Sequence, residues 1–286
     1  MKKLLLIALS VIFIGSGVLY SVSWKKLLPK KARGKLWPKE ALKEELTEFV
    51  KSLYKESKIE DKELDKLEAL VEKLEKKGVK INDIKYPKGM NLLGKAAMGD
   101  NPELIERLLQ QKQFEDKITE KKFLNHRDAL ERTPLMIALS GKPNSSKIKE
   151  DPGSAGRPGY LENKNNIAVD IIGAGADVEL KDKMKKTAFH YAAENGFAKA
   201  FKYLINALNE KYEEELGITK EEQKRKVIKN KIWFLESERD KTGKTIMQYI
   251  EEGIRSSIGD NEVLKPEYEK MKWLLLGQIS KDKARL

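Results

Sequence analysis

The sequence predicts an all-α protein of about four degenerate repeats of paired short helices, with an N-terminal helical cap and long insertions. Three observations predict it. Residues 182–205, DKMKKTAFHYAAENGFAKAFKYLI, read as a reverse turn, a short helix, a second turn and a second helix. Weaker copies of that pattern lie on both sides of it, and two amphipathic helices precede the first copy. Helices this short cannot bury their apolar faces alone, so each pair must stack on its neighbours.

The chain opens on Lys2 and Lys3, followed by residues 4–24, an uncharged stretch of 21 residues. As a helix rising about 1.5 Å per residue it spans roughly the 30 Å of a bilayer's hydrocarbon core. It reads as a membrane anchor, with a cleavable signal peptide as the rival, since Ser21, Val22 and Ser23 offer small residues at a cleavage site. Residues 25–37 then form a basic juxtamembrane linker. Lys25, Lys26, Lys30, Lys31, Arg33 and Lys35, with Trp24 and Trp37 as interfacial rings, fit adhesion to anionic lipid at about 1 kcal/mol per charge. The formal net charge of +12 therefore does not indicate nucleic acid: residues 1–40 carry +8 of it, leaving +4 for the rest. Topology signals conflict, because the cations after the span outnumber those before it. The MKK start and the absence of cysteine favour an exported, periplasm-like location for the folded part.

Residues 38–82 are the cap. Leu42, Leu46, Val50 and Leu53 line one face of a first helix, and Leu67, Leu70, Val71 and Leu74 line a second. The repeats follow at about residues 83–112, 125–177, 178–207 and 236–278, within one domain over residues 38–286. In the best copy Thr187 caps the first helix, Ala192 and Ala193 give it a thin side, and Gly196 stops it. Ala200, Phe201, Leu204 and Ile205 make one apolar stripe on the second helix.

This copy resembles the ankyrin-repeat family, whose pattern is roughly D-x-x-G-x-T-P-L-H-x-A-A-x-x-G followed by an apolar outer helix. The second repeat carries Thr133, Pro134 and Leu135, an outer helix around residues 167–172, and the link Gly175, Ala176, Asp177, Val178. The first has Asn91, Leu92, Leu93, Ala96 and Ala97, then Leu104, Ile105, Leu108 and Leu109. The fourth runs from Asp240 through Gly243 and Thr245, with Leu274, Leu275 and Leu276 as its outer run. Helix starts at Asn91, Thr133, Thr187 and Thr245 are 42, 54 and 58 residues apart, against about 33 in the family, so each interval is padded. Residues 142–164, rich in Pro and Gly, read as an irregular loop. Residues 206–239 read as an extra helix packed beside the stack, with Val227, Ile228, Ile232 and Leu235 on its apolar stripe.

Chemistry is sparse. There are two histidines, no cysteine and no Gly-rich phosphate loop, so neither metal nor cofactor is expected and no catalytic residue is assigned. The resemblance gives His190 a structural role, its imidazole hydrogen-bonding neighbouring turns; His126, in the turn before the second repeat, reads as exposed. The resemblance also implies that a protein partner docks on the turn tips and the exposed side of the inner helices. The positions so implied are Tyr86, Met98, Leu130, Ile137, Met184, Tyr191, Asn195, Thr242 and Tyr249. The expectation is a monomeric, non-catalytic protein-binding scaffold. The alternative is an inhibitor or self-protection protein that blocks a toxic or cell-envelope enzyme, its inserted segments projecting into a cleft.

Overall fold

The computed structural model describes residues 38–53, 61–79, 84, 86–99, 101–110, 117–141, 159–257 and 264–286. The chain divides into two compact units, Met1–Ala41 and Leu42–Leu286; of the first, only the opening turn of α1 is described. The described residues form twelve α-helices and no strand beyond a single bridge, Arg239 to Thr245. All-α is therefore the observed class.

Helices α1 (Pro38–Leu53) and α2 (Asp61–Lys76) are the two anticipated at the N-terminal end. Leu46 and Val50 on α1, and Leu67, Leu70, Val71 and Leu74 on α2, are buried. Four helix pairs follow: α3 (Leu92–Ala97) with α4 (Pro102–Leu109), α6 (Pro134–Ala138) with α7 (Tyr160–Gly173), α8 (Ala188–Asn195) with α9 (Ala198–Ile218), and α11 (Ile246–Ser256) with α12 (Lys265–Lys283). The first members pack in series, α3 on α6, α6 on α8 and α8 on α11. The second members do the same, α4 on α7, α7 on α9 and α9 on α12, which makes two layers. Ala96, Ala138 and Ala192 occupy the same position on three successive inner helices and are fully buried, so the small side chain lets those helices approach.

Each inner helix begins at a residue chosen for its cap. The side chains of Asn91, Thr133 and Thr245 accept from the amides of Gly94, Met136 and Gln248, and Thr187 with His190, like Thr245 with Gln248, forms a reciprocal capping box. Gly196 ends α8 in the left-handed region, at φ +76°, where a side chain would be strained.

Buried polar side chains tie one pair to the next. Lys164 on α7 places its Nζ 2.7 Å from the carbonyl of Ala97 and 2.9 Å from that of Gly99, at the open C-terminal end of α3. Asn165 accepts from the Ala200 amide at 2.9 Å, fixing the start of α9 against α7. Tyr268 on α12 crosses α11 at Gly253, where an added Cβ would lie 2.1 Å from its ring, and donates to the Glu194 carbonyl at the end of α8.

Several expectations need correction. The padding at residues 206–239 is not one added helix: α9 runs through its first third to Ile218, and α10 (Glu221–Ser237) supplies the rest, packing on α9, α11 and α12. The stripe Val227, Ile228, Ile232 and Leu235 is buried as anticipated. A further helix, α5 (Lys117–Leu124), falls between the first two repeats, where none was anticipated. The buried face of α12 is not Leu274, Leu275 and Leu276 in a run, which a helix cannot bury together; it is Tyr268, Met271, Leu275 and Ile279, with Leu276 exposed.

The expected transmembrane helix is also corrected: among the described residues no helix is long and apolar enough to cross a membrane. The stretch 4–24 that prompted it, and the lipid-surface set Trp24, Lys25, Lys26, Lys30, Lys31, Arg33, Lys35 and Trp37, lie outside the described residues. So do residues 142–158 of the anticipated loop; residues 160–164 of it form the first turn of α7.

Candidate partner-binding surface

The four turns that lead into α3, α6, α8 and α11 share one construction. Counting back from the cap, the fifth residue is Tyr86, Asp128, Asp182 or Asp240, and its amide donates to the carbonyl four residues on in every case, at 2.8 to 3.1 Å. The second residue before the cap is Gly89, Glu131, Lys185 or Gly243, each with positive φ, 74°, 61°, 57° and 83°. That sharp reversal strains a residue with a side chain by about 1–3 kcal/mol, so something must hold it. In the last three turns the aspartate does. Its Oδ1 accepts two backbone amides of its own turn, from Leu130 and Arg132, from Met184 and Lys186, and from Thr242 and Lys244, at 2.8 to 3.0 Å.

One backbone hydrogen bond joins each turn to the next. The Ala129 amide donates to the Lys88 carbonyl at 2.7 Å, Lys183 to Leu130 at 3.0 Å, and Lys241 to Met184 at 2.8 Å. Side chains add to the line: His126 Nε2 meets the Gly89 carbonyl at 2.8 Å, and Arg127 donates to the Lys181 carbonyl at 2.9 Å. His126 is thus half-buried and engaged rather than exposed, because its ring bridges two turns.

Behind the third and fourth turns the inner helices carry a repeated network. Tyr191 donates to Asp182 Oδ2 at 2.8 Å and Tyr249 to Asp240 Oδ2 at 2.6 Å. Lys186 pairs with Glu194 at 2.8 Å and Lys244 with Glu252 at 2.7 Å, and the Lys186 ammonium lies 4.7 Å from the Tyr249 ring centre. Burial and the Asp240 carboxylate push the Tyr249 hydroxyl up to about 12. Burial opposes the charge of Asp240, but hydrogen bonds from Tyr249, from Thr242 and from the amides of Lys244 and Thr242 outweigh it and bring its carboxyl from 3.8 to about 2. His190 is fully buried, with Nδ1 2.9 Å from Thr187 Oγ1; burial lowers its proton affinity, opposed by the carboxylates of Asp240 and Glu238 and by the Glu238 backbone.

The anticipated contact residues separate into two groups. Met98, Leu130 and Met184 are 52%, 48% and 45% exposed, and Thr242 is exposed beside them on the fourth tip. Tyr86, Ile137, Asn195 and Tyr249 are buried, not presented to a partner, and Tyr191 is half-buried. The reason is local in each case: the hydroxyls of Tyr191 and Tyr249 are held by their turn aspartates, Tyr86 joins the apolar core, Ile137 packs toward Gly94 on α3, and Asn195 donates to the carbonyls of Leu139 and Tyr191. Apolar exposure not anticipated lies elsewhere, at Trp233 on α10 and at Trp273, 76% exposed, on α12. Nothing in apolar periodicity distinguishes Trp273, which opens an unbroken apolar run with Leu274, Leu275 and Leu276, of which only Leu275 is buried.

A recess of about 490 Å³ opens between α8, α11 and α12, lined by Asn195, Thr242, Lys244, Tyr249 and Tyr268 among others. Its polar groups are largely committed to the turn network above. No family model matches the chain, and no curated protein is similar to it.

Proposed function

We propose that the chain is an ankyrin-type repeat protein that binds a protein partner through its turn tips and the exposed edge of its inner helices, without catalysis of its own. The observation that carries this reading is the fourfold turn: a capped inner helix preceded by a left-handed residue and joined to the next turn by one backbone hydrogen bond. Stacked cores are occupied by each other, which leaves the tips as the part free to vary and to meet another molecule. The titratable groups behind the tips support a non-catalytic role, since Asp182, Asp240, Tyr191, Tyr249, Lys186 and Lys244 are all engaged in holding turns and helices in register. The alternative as an inhibitor drew on projecting insertions; of these, residues 206–239 give α10, which packs against α9, α11 and α12, while residues 142–158 lie outside the described residues. A scaffold is the better reading.

Capture with the full-length chain as bait tests it. Leu130→Glu with Met184→Glu places charge on two exposed side chains and leaves the buried network alone. The partner retained by the wild type is expected to be lost from this variant while the unfolding midpoint is unchanged. Retention of the same partner at the same yield would rule out the tips as the contact surface.

A further inference from the structure

The tips also carry a chemical preference, and the inference rests on the protein-binding reading above. Carboxylates near the tips are spent. Asp128, Asp182 and Asp240 are buried and turned onto their own backbone amides; Glu131 pairs with Arg127 at 3.3 Å and Glu238 with Lys181 at 2.9 Å. Lysines are not. Lys88, Lys183, Lys185 and Lys241 are exposed, and among the described residues none of their side chains makes an ion pair or a hydrogen bond.

These cations are contiguous with the exposed apolar side chains. The inter-turn hydrogen bonds place Leu130 directly against Lys183, and Met184 directly against Lys241, so cation and apolar residue alternate along the three tips. We propose that this row is a docking strip for an extended acidic segment of a partner protein, held by Lys183, Lys185 and Lys241 and keyed by apolar side chains seated on Leu130 and Met184. Unpaired lysines attract and steer a polyanion, and the apolar residues between them select one that carries side chains to match. Neither rival anion uses that alternation. A single-stranded nucleic acid asks for exposed rings on which bases stack, and the row has none. A bilayer presents a flat sheet of charge, for which a line one or two residues wide at each tip gives little contact.

The probe is a short fluorescein-labelled peptide of glutamates with two leucines spaced among them, titrated by anisotropy against the full-length chain. Two control peptides replace Glu by Gln, or Leu by Ser. Binding of the Glu/Leu peptide is expected to weaken about tenfold or more in Lys183→Gln/Lys185→Gln/Lys241→Gln, and to weaken with added salt. The side chains of these lysines make no ion pair or hydrogen bond among the described residues, so that variant's unfolding midpoint should match the wild type. Met184→Ser should remove the preference for leucine over serine while sparing the dependence on glutamate.

Equal affinity of the wild type and the lysine variant for the Glu/Leu peptide overturns the proposal. So does tighter, lysine-dependent binding of phosphatidylglycerol vesicles or of an oligonucleotide. If the peptide fails while partner capture still depends on Leu130 and Met184, the acidic chemistry is wrong and the protein-binding reading stands. Failure of both removes both.

Discussion

The third and fourth turns secure their aspartate with a tyrosine nine residues on, whereas the second secures it with an arginine four residues on. Oδ2 of Asp182 and of Asp240 accepts from Tyr191 and Tyr249 on the helix behind; Oδ2 of Asp128 accepts from Arg132 at 2.8 Å within the turn itself. At the tyrosine position the second repeat has Ile137, packed toward Gly94 of α3. The first turn has no carboxylate at all, and Tyr86 occupies the place. The constant part is therefore the backbone: a positive-φ residue and an amide-to-carbonyl closure. The second carboxylate oxygen is satisfied by whatever donor the neighbouring layer allows. Where that donor sits on the inner helix, the turn and the helix are coupled; where it sits in the turn, they are not.

Core truncations test whether that coupling extends to the hydrophobic layer. Phe189 meets Phe201 and Phe234 edge-on, at 5.5 and 5.6 Å between ring centres, so it joins α8 to both α9 and α10. Phe189→Ala is expected to cost about 3–5 kcal/mol in urea unfolding and Leu135→Ala, its counterpart in the second repeat, about 2–5 kcal/mol. A loss under 1 kcal/mol for Phe189→Ala would mean that α10 does not pack as described.

Smaller losses come from the turns. Asp182→Ala and Asp240→Ala each strand a tyrosine hydroxyl, half-buried at Tyr191 and buried at Tyr249, and two backbone amides, an expected cost of about 1–3 kcal/mol, whereas Tyr249→Phe should cost only about 0.5–1.5 kcal/mol. If Asp128→Ala proves as damaging to protection of inner-helix amides as Asp182→Ala, measured by hydrogen exchange, the distinction between coupled and uncoupled turns fails.

The smallest effects are in pH. Burial lowers His190 below its ordinary 6.5, so the unfolded chain takes up the proton first as pH falls. Its contribution is complete above that value and shrinks below it, and His190→Asn should flatten the melting temperature in that window. Asp240, at about 2 when folded against 3.8, contributes fully above 3.8 and loses its contribution as pH drops toward 2. Asp240→Asn should remove that second, more acidic slope and deepen the first, because the carboxylate that raises the proton affinity of His190 is gone.

Much of the repeat pattern was legible because it is local. Caps at Asn91, Thr133, Thr187 and Thr245 follow from side-chain oxygens set before apolar runs, and Gly196 from the need for a left-handed stop. Helix α5 was not legible, half of its eight residues being charged and its apolar face weak. Nor was the length of α9, since a helix continuing past its repeat and an insertion with helical pattern look alike until tertiary contacts decide. The role of Tyr191 and Tyr249 was visible in principle. Asp and Tyr recur nine residues apart in both turns, a spacing read as two surface aromatics because hydrogen-bond geometry has no periodicity of its own.

Lys164 has a consequence for experiments on this chain. The residue is only 1% exposed and its ammonium is held on the carbonyl of Ala97 at the end of α3, while Lys183, Lys185 and Lys241 stand in solvent. An amine-reactive reagent will modify the tip lysines at once and reach Lys164 only in molecules where α7 has lifted away from α3. Its rate of modification is then a clock for the parting of the first two helix pairs, read by mass spectrometry from a single residue without any engineered probe.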